Sequence, residues 1–305
     1  MGSAPPPHYD EFGLFADNAA EAGIPWKPPT VRRQAVDVGA GRRVSSLVWG
    51  EGPPELVLLH GGGQNAHTWD TVALALDRPL VAVDLPGHGH SDWPGDARAV
   101  HPGAMADDVA AVIGELAPGL RALVGMSLGG LTALALAARS PELVPRLVLV
   151  DITPGVDGEK SADIAAFLAG PESFATFDEI LDRTIAFNPT RSESSLRRGV
   201  LHNAVRREDG TWTWRHQLGR PSGTTGLHVE AVEFGSLWDA LAGTTGPLVL
   251  ARGSRSPVVS DADVAELVRR RPDATVVVVD DAGHSIQGDQ PLVLAGIIAD
   301  VADGD

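Results

Sequence analysis

The sequence predicts an α/β chain built on a doubly wound, mostly parallel sheet, and three observations carry that reading. Leu56–Leu59, Leu80–Val83, Ala122–Gly125, Leu147–Val150, Leu248–Ala251 and Thr275–Val279 are continuous apolar runs. Strands buried on both faces look like this, whereas half-exposed strands alternate. Helical patterns lie between them at Ala66–Leu76, Ala104–Leu116, Leu128–Arg139, Asp261–Arg271 and Pro291–Val301. Such alternation of strand and helix implies a parallel sheet covered by helices. The third observation is the opening. Val31–Val38 and Arg43–Trp49 alternate apolar and polar residues around Gly39-Ala40-Gly41, which is the pattern of an antiparallel β-hairpin.

Taken in order, the chain divides into three parts. Residues 1–30 form an N-terminal extension, disordered over 1–8, with weak helical periodicity from Asp10 to Ala22 and a Pro-rich stretch at Ile24–Thr30. Residues 31–153 and 241–305 make the α/β core. The strand rhythm breaks after Val150 and resumes only at Leu248, so 154–240 is an insertion. Its short helical patterns (Ala162–Leu168, Phe177–Ile185, Ser194–Asn203) make it a mainly helical cap over the carboxyl edge of the sheet. Within it, Asp209-Gly210 is a hairpin-turn signal, which places Trp212 and Trp214 on one face of a strand. With Phe187 they are candidates to line a substrate pocket. Packing of the cap onto the core is the competing reading, and for an aromatic stripe it is the commoner one.

Composition narrows the function classes. A chain of 305 residues can bury a full core. Its formal charge of −16 argues against nucleic acid and anionic membrane surfaces as partners. With no cysteine, there is no disulfide, thiol nucleophile or Cys-based metal site. No apolar run reaches the roughly 18 residues a spanning helix needs. The N-terminus lacks the basic and apolar regions of a signal peptide, so the cytoplasm is the expected compartment. Oligomeric state is not readable.

The chemistry lies in the loops after the strands. Gly125-Met126-Ser127-Leu128-Gly129 sits between a β run and an Ala/Leu helix, the context of a nucleophile elbow. A serine on so tight a turn is strained, and bulky neighbours two positions away on either side would collide with adjoining strands. Ser127 also stands at a helix N-terminus, where free N–H groups favour negative charge on a reacting oxygen. His60-Gly61-Gly62-Gly63 follows the first parallel strand and can offer unobstructed N–H groups to an oxyanion. Gly62 and Leu128 N–H are the expected donors, with Gly63 the nearest competitor, and His60 is a loop-fixing hydrogen bonder. His284 follows the last strand in Asp280-Asp281-Ala282-Gly283-His284 and comes late enough to serve as general base in a Ser…acid…His order. Asp84-Leu-Pro-Gly-His88-Gly-His90 reads as a glycine-rich structural turn. A metal site made from His88 and His90 with His60 or His67 lacks supporting ligand spacing, so neither metal nor cofactor is expected.

These motifs, in this order, resemble the α/β-hydrolase superfamily from about Val31 to the C-terminus, interrupted only by the cap. The chain looks most like small actinobacterial serine carboxylesterases with a cap domain. The resemblance implies the α/β-hydrolase fold and carries the nucleophile, the loop oxyanion donor and the final histidine to Ser127, Gly62 and His284. The acid departs from the commonest family pattern, a Gly-x-x-Asp turn after the penultimate strand. Here the turn reads Gly253-Ser-Arg-Ser256-Pro257, with serine where the acid would stand. Asp261 and Asp263 follow, but Ser260-Asp261-Ala262-Asp263 has the form of a helix N-cap. Some family members place the acid at the end of the strand after the elbow helix, which favours Asp151. A Ser127–His284–Asp151 triad would cleave small-molecule carboxylic esters of short or medium acyl chain through an acyl-enzyme. Hydrolysis of C–C bonds in β-diketone-like substrates uses the same triad and stays open. So does a non-catalytic binding protein on a hydrolase fold. Dehalogenase and epoxide hydrolase chemistries need an aspartate in the elbow and are excluded.

Overall fold

The computed structural model describes residues 9–95, 100–216 and 235–304. The disorder expected for residues 1–8 lies outside them. A first helix, α1 (Phe15–Ala22), precedes the hairpin of β1 (Val31–Asp37) and β2 (Arg43–Trp49). Next come β3 (Leu56–Leu59), a 3-10 turn (Ala66–Trp69) running into α2 (Asp70–Leu76), and β4 (Leu80–Val83). The next elements are α3 (Pro102–Leu116), β5 (Ala122–Met126), α4 (Leu128–Arg139) and β6 (Leu147–Val150). The insertion holds α5 (Ala162–Leu168), α6 (Phe177–Phe187), α7 (Glu193–Asn203), β7 (Ala204–Arg206) and β8 (Trp212–Trp214). The chain returns through α8 (Gly235–Gly243), β9 (Leu248–Gly253), α9 (Asp261–Arg270), β10 (Thr275–Val279), α10 (Ile286–Asp289) and α11 (Pro291–Asp303).

Eight strands form one sheet in the order β1-β2-β4-β3-β5-β6-β9-β10. β1, β2 and β4 pair antiparallel, and from β4 to β10 every pairing is parallel. β10, also expected to be buried on both faces, lies at the sheet edge and leaves Val278 54% exposed. The apolar runs of β3, β4, β5, β6 and β9 are continuous because each of these strands feeds two cores. Val57 and Leu59 of β3 face one with residues of α3, α4, α8 and α9. Leu56 and Leu58 face the other with residues of α1, α2 and α11. All four are fully buried, and truncating such a leucine to alanine costs about 2–5 kcal/mol.

The insertion has a small core of its own, in which Phe174, Phe177, Ile180, Leu196, Val200 and Trp212 pack together. Its hairpin turns at Asp209-Gly210, with Gly210 at φ 87°, and pairs β7 with β8. The aspartate side chain holds the turn by accepting from Thr211 N–H at 2.9 Å. Among the described residues no helix is long and apolar enough to cross a membrane.

Candidate active site

Ser127 lies between β5 and α4 with φ 49° and ψ −117°, a backbone conformation that a non-glycine residue adopts only when its surroundings enforce it. The enforcement comes from close packing at the flanking glycines. A Cβ on Gly125 would sit 2.6 Å from the backbone of Gly129 and Gly130, and one on Gly129 would overlap the Leu59 carbonyl at the end of β3. The elbow is therefore pressed against the neighbouring strand, with its serine at the head of α4. Gly61 completes the contact from the other side, since a Cβ there would strike Met126 and approach Ser127 Cβ at 3.3 Å.

His284 and Asp151 meet although 133 residues separate them. His284 Nδ1 lies 2.7 Å from Asp151 Oδ2, and the aspartate is fully buried. Asp151 closes β6 with a positive φ of 49°. The order β5-β6-β9-β10 places that strand end between the elbow and the histidine loop. The Asp151 carboxylate has two further donors: Gly253 N–H to Oδ1 at 2.9 Å, and the Ser256 hydroxyl to Oδ2. Ser256 is the residue standing where the commoner pattern has its acid, and it binds the carboxylate that replaces it. The sequence flagged this position without disclosing its part. The other two carboxylates are engaged elsewhere. Asp263 forms a capping box with Ser260 and an ion pair of 2.8 Å with Lys160 from the insertion. Asp261 is exposed and pairs with Arg252.

The His60–Gly63 loop is held by two buried imidazoles. His60 Nδ1–H donates to Gly61 O at 2.7 Å, and its Nε2 accepts from Leu85 N–H at 2.9 Å. His88 Nδ1–H donates to Pro86 O at 3.1 Å, and its Nε2 accepts from Gly63 N–H at 3.1 Å. Both rings are neutral in this arrangement. Burial pushes His60 down to about 4 and His88 well below the usual histidine range. Gly63 N–H is thereby committed to His88, so Gly63 is not a free donor. Gly62 and Leu128 N–H have no acceptor among the described residues. His88, read from the sequence as part of a structural turn, thus decides which glycine of the loop can face a ligand.

A cavity of about 720 Å³ opens on this edge of the sheet, and Ser127, His284, Gly62 and Leu128 all line it. Phe187 and Trp214 lie on its wall. Trp212 does not. It packs edge-to-face on Phe177 and pairs with Phe174 in the core of the insertion, which corrects its assignment to the pocket. In so short a strand, Trp212 is captured by the insertion's helices while Trp214, at the other end, reaches Phe167 and His216.

A second polar cluster borders the same cavity, assembled from residues of separate segments, of which only His67 was singled out from the sequence. Glu11, from the N-terminal extension, accepts from Arg33 and lies 3.3 Å from His67 Nε2, while His67 Nδ1 is 2.9 Å from Asp70 Oδ2. Burial disfavours a charge on His67, yet these carboxylates prevail and raise it to about 9. Burial likewise pushes Glu11 up, but His67 and Arg33 together bring it down to about 2. His202 of α7 stacks on His67 with ring centres 3.7 Å apart and is held neutral by burial and by the His67 charge.

Residues 56–297 match the family model described as the alpha/beta hydrolase family. The chain is 46% identical over 301 residues to the esterase Rv0045c of Mycobacterium tuberculosis, covering 96% of both chains. A solved structure of that esterase, reported under the heading of its transition metal inhibition, superposes with a TM-score of 0.82 at 44% identity. It covers 97% of this chain and 99% of that one. The chain is also 32% identical to the sn-1-specific diacylglycerol lipase ABHD11 of Xenopus laevis, over 78% of this chain and 76% of that one. Strand order, elbow, facing loops and these likenesses agree: the chain belongs to the alpha/beta hydrolase family.

Proposed function

We propose that this protein is a serine esterase that cleaves carboxylic esters of short or medium acyl chain through an acyl-enzyme. The observation that carries the reading is the contact of His284 with buried Asp151, on the same cavity as a strained Ser127 at a helix N-terminus. The likeness to a mycobacterial esterase along nearly the whole chain supports it.

In this mechanism His284 Nε2 takes the Ser127 proton as Oγ attacks the ester carbonyl. Asp151 accepts Nδ1–H, fixing the tautomer and stabilising the imidazolium. Charge that develops on the carbonyl oxygen is taken up by Gly62 and Leu128 N–H, which have no acceptor among the described residues. The tetrahedral intermediate collapses to the acyl-enzyme as His284 returns its proton to the leaving alcohol. Water, deprotonated by the same histidine, then releases the acid and restores Ser127. Residues 31–153 and 241–305 act as the catalytic core, and 154–240 as a cap whose Phe167, Phe187 and Trp214 bound the acyl pocket. A cavity of about 720 Å³ suits a small ester. The transition metal inhibition named for the mycobacterial esterase gives this chain the same expected sensitivity.

The test is a p-nitrophenyl ester series from acetate to palmitate, run beside a 1,3-diketone panel and a fluorophosphonate label. Turnover peaking on short or medium esters, with the label on Ser127, is expected. Preference for palmitate would overturn the chain-length assignment. Diketone cleavage without ester cleavage, or an inert Ser127, would overturn the esterase assignment.

A further inference from the structure

We propose that Arg191, a cation in the wall of the catalytic cavity, is a specificity-determining residue that selects esters carrying a free carboxylate. That the substrate is an ester rests on the serine esterase reading. The carboxylate is a second recognition element, which none of the sequence motifs encodes.

Arg191 stands on the turn between α6 and α7, and its side chain is mostly buried. A guanidinium has five N–H donors. Among the described residues a single hydrogen bond engages them, from Nη2 to the Ser195 hydroxyl at 2.8 Å. Nε is fully buried with no hydrogen-bond partner. Asp289 Oδ1 lies 3.9 Å from it, too far for a hydrogen bond. The Asp289 carboxylate is committed elsewhere, since Oδ2 accepts from Gly283 N–H at 2.8 Å, beside the catalytic histidine. Nη1 has no partner among the described residues either, and it is not one of the atoms sealed from solvent. A donor is therefore open on a side chain that lines the cavity. Burial pushes this guanidinium below the usual arginine range, against the pull of Asp289 and Glu21, and buried N–H groups left unpaired are costly.

The other charged groups of the described wall are already matched. Asp70 faces His67, and Arg198 donates to Asn18 at 2.6 Å and to Glu21. Asp157 accepts from the backbone N–H groups of Glu159 and Lys160. The position of the guanidinium is set by Gly288. A Cβ there would come within 2.6 Å of Cζ and Nη1 and within 2.8 Å of Nη2, so the planar group rests on bare backbone. Glycine is a poor helix former, yet Gly288 lies inside the single turn of α10, and the space it leaves is filled by Arg191. Gly288 N–H donates to Ser285 O at 2.8 Å, one turn on from the His284 loop. The guanidinium thus stands about one helical pitch, roughly 5 Å, from that loop. His284, Ser285, Gly288 and Ser127 line the same cavity. One small molecule can hold its ester at Ser127 and its carboxylate at Arg191.

A carboxylate suits this donor set. Its two oxygens accept from Nη1 and Nη2 in parallel, charge-assisted bonds. A neutral amide of the same shape turns an N–H₂ group against one of those donors and is rejected. The formal charge of −16 repels anions from the protein at large, so a carboxylate binds only where a specific cation meets it. Arg191 selects through binding, away from the reacting atoms, and the gain falls in KM.

The experiment compares each carboxylate with its isosteric amide, the released acid being followed by titration. Monomethyl adipate against methyl adipamate places the carboxylate on the acyl part; 4-acetoxybutanoate against 4-acetoxybutanamide places it on the alcohol part. In at least one pair, wild-type kcat/KM should be at least about fivefold higher for the carboxylate, the difference lying in KM. Arg191→Gln should bring that ratio close to one. Gly288→Ala, whose Cβ displaces the guanidinium without removing it, should lower the ratio at least about twofold. It decides the matter if Arg191→Gln fails to fold by near-ultraviolet circular dichroism. A smaller wild-type ratio in both pairs would overturn the proposal. So would the wild-type ratio in Arg191→Gln, or in Gly288→Ala where only that variant folds. Calorimetric titration of Ser127→Ala with the two carboxylates reads the same contact without turnover, and adding Arg191→Gln should weaken binding at least about fivefold. Carboxylate binding through Arg191 in a protein that hydrolyses no ester would overturn the esterase reading alone. Ester hydrolysis with no preference for the carboxylate would overturn the anion site alone.

Discussion

Moving the triad carboxylate tests the proposed mechanism at its least conventional point. Asp151 is fully buried and takes three donors: His284 Nδ1–H at 2.7 Å, Gly253 N–H at 2.9 Å, and the Ser256 hydroxyl. In Asp151→Asn the amide oxygen can still serve Gly253, but the amide nitrogen then faces two groups that also donate. His284 is driven to the wrong tautomer, and kcat should fall about 10⁴-fold, or roughly 5.5 kcal/mol of barrier. Ser256 touches the oxygen that His284 touches, and an aspartate there is one carboxylate arm longer. Adding Ser256→Asp to Asp151→Asn should therefore recover at least about tenfold of the lost rate. Full recovery is not expected, because position 256 is partly exposed and lacks the Gly253 donor. The assay is kcat at saturating p-nitrophenyl butyrate, on variants whose near-ultraviolet circular dichroism matches wild type. Asp151→Asn retaining more than a tenth of kcat would refute the acid assignment. A double variant no faster than Asp151→Asn would refute the equivalence of the two positions.

Ser127→Ala should lower kcat by about 10⁶-fold without loss of fold, and residual activity of a few per cent in pure protein would contradict the nucleophile. Asp263→Asn should destabilise by about 1–3 kcal/mol in urea melts, since it breaks a capping box and a mostly buried pair with Lys160, and leave kcat nearly intact. Exposed Asp261→Asn should change stability by less than about 0.5 kcal/mol. Stability should peak near pH 6–7. His67, raised to about 9, contributes fully below its unfolded value near 6.5 and loses that contribution as pH rises through 9. His60, lowered to about 4, costs stability as pH falls from 6.5 toward 4, because the unfolded chain takes up the proton first. The His67 and His60 contributions are each on the order of 3 kcal/mol, and buried His88 and His202, also held well below the usual histidine range, deepen the acid arm. Urea midpoints measured from pH 4 to 9.5 check the shape, and a curve still rising at pH 9 would contradict the charge on His67.

Features that depend on near neighbours along the chain were legible in the residue pattern. The core strands were legible because burial on both faces demands unbroken apolar runs, and Leu56–Leu59 and Leu147–Val150 occupy the residues expected of them. The elbow was legible because its strain needs glycines at fixed offsets, and Gly125 and Gly129 meet the backbone contacts that require them. Tertiary structure decided whatever depends on groups far apart in the chain. Asp151 reaches His284 because β6 lies beside β9 and β9 beside β10, an order no local pattern specifies. Gly63 lost its N–H to His88, a residue on another loop. Trp212 and Trp214 share a strand and a composition, yet only the packing of α6 separates the core residue from the pocket residue. Glu11, in a segment that read as an appendage, joins His67, Asp70 and His202 beside the cavity. Apolar periodicity carries no information about which buried charges will meet, because each is satisfied by partners from other elements.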